Sequence, residues 1–360
     1  MTALQQQGLH EHDITSINAT PASHTRSTLT SNQKGNRDMD IVRWGIIGCG
    51  EVTEVKSGPG FQKASGSQLV AVMRRNGELA ADYAKRHGVP KWYDDADKLI
   101  HDSEVDAIYI ATPPSTHKDY VLRCAAAGKP MLVEKPMAMS HAECLEMNAA
   151  CAAAGVPQFV AYYRRALPRF LKIKELVDSG AIGAVRMVNT RMHRPPLARD
   201  TDPSQFWRID PALAGGGHFV DVAGHTLDFL DYVLGPISEA SGYAGNQAGL
   251  YAAEDIVSGT FRFASGVQGT GQWCFSVSEQ LDLTEILGSR GSVRFSVFDD
   301  SPLQLVVDGK LESIAISNPP HVHQPYIQTV VDSLLGRGSS PSDGVSGTRA
   351  SWVMDRLLGR

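Results

Sequence analysis

From Val42 onward, short apolar runs alternate with segments whose apolar residues recur at helical spacing. This alternation is typical of strands joined by crossover helices, and near-continuous apolar runs indicate strands covered on both faces of a parallel sheet. The predicted strands cover residues 43–47, 68–73, 105–111, 130–133 and 158–162. The predicted helices between them cover residues 78–87 and 117–127, followed by one that begins after Ser140 and ends at Gly155. The first part of the chain is therefore predicted to be a doubly wound unit.

Beyond Tyr163 the pattern changes to apolar runs separated by short Gly and Ser turns, which predicts an antiparallel sheet. Its strands are predicted over residues 185–192, 256–263, 267–275, 281–287 and 292–298. Helices are predicted over residues 169–179, 220–234, 326–335 and 346–358. The predicted organisation is a leader over 1–39, one domain over 40–163, a second over 164–322, and closing helices over 323–360 that pack back onto the first domain.

The composition excludes several classes of protein. With 360 residues, 42% of them apolar and 20% charged, and a formal charge of -5, the chain is expected to be a soluble two-domain protein without a nucleic-acid or anionic-membrane partner. No run approaches the roughly 18 apolar residues that a membrane span needs. The five cysteines form no C-x-x-C pair, so neither a disulfide framework nor a zinc site is predicted, and a reducing cytoplasm is expected.

Residues 1–39 are rich in Ser, Thr, Asn, Gln and His and have no apolar periodicity. Such a segment cannot offset the entropy of ordering it and is predicted to be disordered. It has neither the apolar core of a secretory signal nor a twin arginine, so we do not expect it to direct export. Met39, just before the first strand, is a candidate start of translation.

The turn after the first predicted strand reads Gly48-Cys49-Gly50-Glu51-Val52-Thr53. Its first two glycines match the G-x-G of a dinucleotide site, where the first permits a tight turn and the second lets the backbone approach a pyrophosphate. The alternative is an ordinary strand-to-helix turn, but the position after the first strand of a doubly wound unit favours nucleotide binding. Gly48, Gly50, Glu51 and Val52 are therefore predicted to contact the cofactor.

The end of the second strand lacks the acidic residue with which NAD-selective sites hold the ribose hydroxyls. Met73 is instead followed by Arg74, Arg75 and Asn76. Either arginine can grip a 2′-phosphate, which favours NADP over NAD. The alternative, that both arginines are solvated surface charges and NAD is used, stays open.

The next long strand runs into Thr112-Pro113-Pro114-Ser115-Thr116-His117. Two prolines fix an extended backbone at the carboxyl edge of the sheet, where such sheets bind ligands. Thr112, Pro113 and Pro114 are therefore predicted to line the cofactor cleft. For His117, a direct cofactor contact and a helix start facing water are equally weighted alternatives.

Glu134-Lys135-Pro136 ends another predicted strand and belongs to the same edge. An ammonium group there can orient a hydroxyl and stabilise negative charge that develops on oxygen as hydride leaves its carbon. The alternative is a surface ion pair, but Pro136 rigidifies the turn and favours the functional interpretation. Glu134 and Lys135 are predicted to lie at the cofactor.

The run Gly215-Gly216-Gly217 precedes Asp221 and His225, whose spacing of four places both on one helix face. A neutral histidine can accept the proton of a secondary alcohol, while the carboxylate orients the ring and raises its basicity. The alternatives are a metal pair or a buried polar contact. No third ligand with suitable spacing follows, so no metal is predicted.

These motifs occur in the order G-x-G, T-P-P-x-x-H, E-K-P and G-G-G-x-x-x-D-x-x-x-H-x-x-D, the last ending at Asp228. Together they resemble the Gfo/Idh/MocA family, the glucose-fructose oxidoreductase and inositol dehydrogenase group, over essentially all of residues 42–358. The resemblance implies an α/β chain: an NAD(P)-binding Rossmann domain followed by an α/β domain with a large open, mostly antiparallel sheet that often forms dimer or tetramer contacts. It also implies that Lys135, Asp221 and His225 are catalytic, and suggests a cis bond before Pro136.

Two further segments are candidates for substrate contact. The run from Ala161 to Pro168 resembles the family's linker into the second domain, although Ala166 replaces its usual aromatic residue, and Tyr163 and Arg164 are predicted to face the substrate. Trp207 and Arg208 precede the glycines, where an aromatic that stacks on a sugar is useful. A core position for this pair is an equally weighted alternative.

The predicted function is an NAD(P)-dependent oxidoreductase, NADP-preferring, that acts on a secondary alcohol or ketone of a small polyhydroxylated molecule such as a sugar, cyclitol or diol. The alternatives are a redox-neutral NAD-dependent glycosidase and a non-catalytic nucleotide-sensing regulator. The presence of Lys135, Asp221 and His225 argues against the regulator. We expect a cytoplasmic homodimer or homotetramer.

Overall fold

A parallel sheet organises the first part of the chain. The computed structural model describes residues 40–202 and 206–360, so the predicted leader over 1–39, with Met39, lies outside the described residues. The elements are β1 (Val42–Ile47), α1 (Glu51–Val55), α2 (Gly58–Lys63), β2 (Ser67–Met73), α3 (Gly77–His87), β3 (Lys91–Tyr93), α4 (Ala96–Ile100), β4 (Ala107–Ile110), α5 (His117–Ala126), β5 (Met131–Val133), α6 (His141–Ala154) and β6 (Gln158–Val160). The strands pair in parallel in the order β3-β2-β1-β4-β5-β6. This confirms the predicted doubly wound unit.

The helix after Ser140 shows how local sequence sets one of these elements. The Ser140 side chain accepts a hydrogen bond from the Glu143 N–H at 3.3 Å, which satisfies an amide that the first helical turn leaves unpaired. Gly155 ends α6 with φ +65°, a left-handed conformation that glycine adopts at low cost. Both boundaries agree with the sequence prediction.

A second, mostly antiparallel sheet follows. Its elements and neighbours are α7 (Pro168–Asp178), β7 (Val185–His193), α8 (Pro211–Ala214), α9 (His218–Leu234), β8 (Ile237–Gly245), β9 (Ile256–Phe263), β10 (Gln268–Cys274), β11 (Leu281–Gly288), β12 (Gly291–Phe295), β13 (Leu303–Val307) and β14 (Lys310–Ile314). Within the described residues the strand order is β14-β13-β12-β11-β7-β10-β9-β8, and β7 with β10 is the parallel pair in it. The antiparallel prediction is confirmed, but β8, β13 and β14 were not predicted, nor was β3 of the first sheet.

Helix α9 lies on the second sheet. Phe219 meets Trp273 of β10 with ring centroids 5.0 Å apart, and Phe229 meets Phe295 of β12 at 5.8 Å. Burying each of these aromatic side chains contributes about 1.5–3 kcal/mol. This packing fixes the rotation of α9 and therefore the direction of its polar residues. None of the helices in the described part of the chain has the length and apolar character needed to cross a membrane.

The closing helices α10 (Gln324–Leu334) and α11 (Gly344–Leu357) connect the two sheets. Tyr326 of α10 donates its hydroxyl to the Val160 carbonyl of β6 at 2.7 Å. On α11, Thr348 accepts from the Asn148 side chain of α6 at 2.8 Å, whereas Leu357 packs against Gly259 of β9. Helix α11 therefore contacts elements of both sheets.

Candidate active site

The turn after β1 lies where the strand order of the first sheet reverses, between β1 and β4. Gly48 has φ +93°, and its N–H donates to the Met73 carbonyl at 2.9 Å. A side chain at Gly48 would also collide with Thr112, whereas a Cβ at Gly50 would meet only the Gly48 oxygen, at 3.9 Å. The first glycine is therefore required by the turn, and the second leaves room for a ligand.

A cleft of about 510 Å³ opens beside this turn, along the carboxyl ends of the strands. The residues predicted to contact the cofactor that line it are Gly48, Gly50, Glu51, Val52, Arg74, Arg75, Thr112 and Pro113. Four residues predicted to contact the cofactor do not belong to this lining among the described residues: Pro114, His117, Glu134 and Lys135. Of these, Pro114, His117 and Glu134 are buried. The G-x-G turn, the end of β2 and the loop after β4 thus share one concave surface at the switch point of the sheet.

Arg74 and Arg75 follow β2 and are exposed at this cleft. Within residues 40–202 and 206–360, neither guanidinium group forms a hydrogen bond or an ion pair. The next residue, Asn76, accepts the Leu79 N–H at 3.1 Å and caps α3. The two cations are free to meet an anionic group of a ligand.

His117 lies under the cleft and is fully buried. Its Nε2 is 2.8 Å from the Thr112 carbonyl and its Nδ1 is 3.1 Å from the Pro136 carbonyl. Burial lowers its pKa, so the ring is neutral and donates to one of these carbonyls. Both sequence alternatives are therefore wrong, because a fully buried ring neither faces water nor contacts a ligand. His117 instead joins the loop after β4 to the turn after β5.

Lys135 follows β5, and its peptide bond to Pro136 is cis, as the resemblance suggested. Its Nζ donates to the Asp221 Oδ1 at 2.7 Å and to the Asp221 carbonyl at 2.9 Å. The neighbouring Glu134 accepts the Lys135 N–H at 3.0 Å and the Tyr109 hydroxyl. Burial raises the pKa of Glu134 although the Lys135 charge opposes it. Glu134 thus holds the backbone while the ammonium group reaches α9.

Asp221 is a carboxylate held between two cations. Burial alone would raise its pKa, but the charges of Lys135 and Arg208 outweigh burial and lower the pKa to about 2. No hydrogen bond joins Asp221 to His225 in the part of the chain that the structure describes, so the predicted role of Asp221 in orienting that ring is wrong. The two residues do lie on one face of α9, but an ammonium ion attracts the carboxylate more strongly than a neutral imidazole does.

His225 is 4% exposed and packs edge-on against Tyr163 and Phe298, with ring centroids 5.3 and 5.7 Å away. Its Nδ1 is buried without a hydrogen-bond partner among the described residues. Burial, followed by the positive charges of Arg164 and Lys135, holds its pKa well below the usual value. The prediction that a carboxylate raises its basicity is therefore wrong. The ring is neutral and retains the capacity to accept a proton.

Tyr163 and Arg164, both predicted substrate contacts, build part of the enclosure around His225. Arg164 donates Nη1 to the Tyr163 hydroxyl at 3.1 Å and Nε to the Val297 carbonyl at 2.9 Å. Tyr163 also stacks on His323, with ring centroids 4.1 Å apart. Tyr163 and Arg164 are 9% and 5% exposed, so only a small part of each is accessible.

Trp207 and Arg208, which were also predicted to contact the substrate, line the cofactor cleft. The Arg208 guanidinium lies 4.7 Å over the Trp207 ring. It is 3.7 Å from the Glu51 carboxylate on one side and 3.7 Å from the Asp221 carboxylate on the other. Arg208 therefore connects the cleft to α9.

Similarity to known proteins decides the family. Residues 42–162 match the oxidoreductase family with an NAD-binding Rossmann fold, GFO/IDH/MocA, and residues 170–294 match the GFO/IDH/MocA C-terminal domain. The chain belongs to the GFO/IDH/MocA family. It is an oxidoreductase with an NAD-binding domain, as the motifs predicted.

Three proteins of the GFO/IDH/MocA family are similar to this chain in sequence or in structure. The chain is 40% identical over 321 residues to Oxidoreductase P35 of Formosa agariphila, which covers 88% of this chain and 98% of that one. It is 28% identical over 313 residues to the 1,5-anhydro-D-fructose reductase of Ensifer adhaerens, covering 85% and 92%. The aldose-aldose oxidoreductase of Caulobacter crescentus, solved with glycerol, superposes with a TM-score of 0.78 at 25% identity, covering 88% and 96%.

The residues of the cleft fit the nucleotide that a GFO/IDH/MocA domain binds. The open space at Gly50 lets a pyrophosphate approach the backbone of the turn. The unpaired Arg74 and Arg75 lie where the second strand ends, which is the position from which such folds hold the adenosine ribose. Trp207 supplies an aromatic face in the same cleft.

Sequence reasoning missed His323, which lies at the start of α10. It is 2% exposed, and its Nδ1 is 3.6 Å from the Glu134 carboxylate with no hydrogen-bond partner in residues 40–202 and 206–360. Burial, followed by the charges of Lys56 and Lys135, lowers its pKa to about 3. The histidine stands in a connecting segment without a motif, so no signal in a single sequence marks it.

Phe298 and the pair of Asp200 with His218 were missed as well. Phe298 follows β12 and lies beside His225, whereas His218 binds Asp200 at 2.8 Å one turn before Asp221 on α9. For His218 a signal existed, because it stands three residues before Asp221 and therefore on the same helix face. Its partner Asp200, 18 residues earlier, follows no such spacing.

Proposed function

We propose that the protein oxidises a secondary alcohol of a sugar, cyclitol or related diol, or reduces the corresponding ketone, by hydride transfer with NADP. The observation that carries the proposal is the ion pair of Lys135 with Asp221, one helical turn before the neutral His225 on α9. Asp221 is also 3.7 Å from Arg208, which lines the nucleotide cleft. Bound NAD(P) would supply the hydride-accepting carbon. The similarity to a 1,5-anhydro-D-fructose reductase and an aldose-aldose oxidoreductase supports a carbohydrate substrate.

His225 is the proposed general base in the oxidation direction. As hydride leaves the substrate carbon, the hydroxyl of that carbon loses its proton, and a neutral imidazole within reach can take it. The Nδ1 atom is enclosed, so the proton would be accepted at Nε2. Burial, followed by the charges of Arg164 and Lys135, disfavours the imidazolium, so His225 must release the proton again readily.

Lys135 is the proposed electrostatic partner of the substrate oxygen. Its ammonium group is fixed by two acceptors on Asp221, at 2.7 and 2.9 Å, and needs little reorganisation to donate to an oxygen on which negative charge develops. Asp221, which contacts both Lys135 and Arg208, is proposed to position Lys135 and not the imidazole of His225.

The NADP preference is the finer part of the proposal. Arg74 and Arg75 are exposed at the end of β2, and no acidic side chain of the described residues pairs with either of them. The adjacent Asn76 carries no charge that would repel a 2′-phosphate. A bidentate guanidinium contact with phosphate favours NADP.

The deciding experiment mixes the purified protein with NADP or NAD and a panel of inositols, aldoses, sugar acids and diols, and follows reduced-nicotinamide absorbance. Lys135→Ala is expected to lower kcat by about 10²–10³-fold, because it removes a donor to the developing oxyanion. Cofactor affinity, read by quenching of Trp207 in the cleft, should stay within about twofold.

Lys310→Ala, which removes an exposed lysine of β14, is the matched control and should leave both quantities unchanged. Turnover that survives Lys135→Ala overturns the assignment of Lys135. Cofactor binding without any absorbance change across the panel overturns the dehydrogenase proposal, and release of a sugar product in that case would indicate redox-neutral glycoside cleavage.

A further inference from the structure

The loop after β12, residues 296–301, is held from below by two buried arginines. Arg164 and Arg169 are 5% and 1% exposed. Together they donate hydrogen bonds of 2.6–2.9 Å to the carbonyl oxygens of Ser296, Val297, Asp299 and Ser301. Two guanidinium groups removed from water and committed to one loop make its backbone rigid.

A carboxylate fixes the same loop from a neighbouring strand. Asp282 of β11 accepts the Phe298 N–H at 2.7 Å and also accepts the Ser296 hydroxyl. The Phe298 N–H lies 3.2 Å from the Ser296 Oγ as well. The backbone at Phe298 is therefore set on both sides, and the position of its ring is preorganised.

This rigid loop presents an apolar ring to solvent. Phe298 is 41% exposed, although leaving a phenyl ring in water is unfavourable. Its ring centroid is 5.7 Å from that of His225, and the Arg164 guanidinium lies 4.5 Å over the ring. Phe298 thus forms an accessible wall beside an almost fully buried imidazole. Trp207, the aromatic predicted for this role, lines the nucleotide cleft instead.

We propose that Phe298 is the platform on which the substrate ring stacks, and that it makes the protein select cyclic sugars or cyclitols over open-chain polyols. A pyranose or inositol ring holds several C–H groups on one face, and this face can cover the exposed phenyl surface while a ring hydroxyl meets His225. An open-chain polyol must give up rotational freedom to present such a face. The inference rests on the proposed function and adds the shape of its substrate.

The test compares wild type, Phe298→Ala and Phe298→Trp with inositols and pyranoses on one side and sorbitol and glycerol on the other. Phe298→Ala should raise KM for the cyclic substrates by about tenfold, the loss expected for one stacked aromatic contact. KM for the open-chain polyols should stay within about twofold, and Phe298→Trp should retain the preference for rings. Tyr243→Ala removes an aromatic residue that is 85% exposed on β8 and is the matched control.

A second readout separates this inference from the proposed function. Protein loaded with NADPH cannot oxidise an alcohol, so calorimetric titration of the same polyols measures binding without turnover. Weaker ring binding by Phe298→Ala supports the platform even if no polyol on the panel is oxidised. Equal ring binding by wild type and Phe298→Ala, or no preference of wild type for rings over open chains, overturns it.

Discussion

Helix α9 carries two buried histidines whose surroundings are opposite in kind. His218, in the first turn, binds the fully buried Asp200 through Nε2 at 2.8 Å, and Asp200 also accepts the Leu197 N–H at 2.8 Å. His225, two turns later, has a buried Nδ1 without a partner in the described part of the chain and is enclosed mainly by aromatic rings.

The pair that resembles a catalytic dyad is therefore the one that ties a loop to α9. His218 also packs against Phe206, with ring centroids 5.6 Å apart, and the next two residues, Trp207 and Arg208, line the nucleotide cleft. At His225 the neighbouring carboxylate binds Lys135 instead of the ring, and burial together with the charges of Arg164 and Lys135 lowers the pKa of the imidazole, which therefore stays neutral. A hydrogen-bonded acid and imidazole build structure here, whereas the imidazole without such a bond is the one suited to chemistry.

The largest expected effect is on kcat, which should fall much more when His225 is replaced than when His218 is. His225→Ala should lower kcat by about 10²–10⁴-fold, the usual loss when a general base is removed. The free energy of unfolding should fall less than it does for His218→Ala, because no hydrogen bond among the described residues depends on the His225 ring and only the cavity left beside Tyr163 and Phe298 contributes. Steady-state kinetics and thermal unfolding of the same preparation measure both quantities. A kcat within fivefold of wild type would remove His225 from the proposed mechanism.

His218→Ala should show the reverse pattern. The substitution leaves the Asp200 carboxylate buried without its imidazole partner and should lower the free energy of unfolding by about 1–3 kcal/mol. Urea titration measures this loss. KM for the nucleotide should rise more than kcat falls, since Phe206, which precedes Trp207 and Arg208 in the chain, loses its packing against the His218 ring. Double replacement of His218 and Asp200 by apolar residues should recover part of the stability. If His218→Ala instead lowered kcat as much as His225→Ala does and left the free energy of unfolding unchanged, the structural role assigned to His218 would be wrong.

The smallest effect concerns His323, another histidine whose Nδ1 has no hydrogen-bond partner within residues 40–202 and 206–360. Burial lowers the pKa of His323 in the folded protein to about 3. In the unfolded chain the imidazole has its ordinary pKa of about 6.5, so between these two values the unfolded chain binds a proton and the folded protein does not. Stability should therefore fall as the pH drops below about 6.5, by up to about 1.4 kcal/mol for each pH unit.

Because His323→Gln removes this titration, its stability relative to wild type should improve as the pH falls from 7 to 5. Urea unfolding at a series of pH values tests this difference. His101→Gln, at an exposed position, controls for the loss of an imidazole. If the free energy of unfolding changed with pH in the same way for wild type and His323→Gln, burial would not lower the pKa of His323 as proposed.

The sequence predicts the parts of this molecule in which local rules and tertiary packing agree. Strands β1 and β4 of the first sheet are apolar because both faces are covered, and α6 begins and ends at capping residues. Strand β8 escaped prediction because its Glu, Ser and Gly residues interrupt any apolar run. For the β13–β14 hairpin the sequence did contain a signal, the dipeptide Asp308-Gly309, which favours a two-residue turn. In the structure these residues have φ of 48° and 78°, the positive values that such a turn requires.

At the site, the motifs mark positions along the chain but not which atoms bind each other. The helical spacing of Asp221 and His225 is correct, yet the carboxylate turns to Lys135, 86 positions earlier in the chain. Likewise His117 stands at the expected edge, but its ring points inward to two carbonyls. Such choices depend on competition between charges and neutral partners across the fold, which spacing along one element does not contain.

The position of α11 has a consequence for how the protein is made. This helix contacts α6 of the first sheet layer through Thr348 and β9 of the second sheet through Leu357, and every strand is synthesised before it. Emerging from the ribosome, the chain holds both sheets before it has the helix that connects them, and the apolar surfaces awaiting α11 stay uncovered until then. We therefore expect the two sheets to be joined only once α11 has been synthesised, and the chain without α11 to be the form most in need of a chaperone.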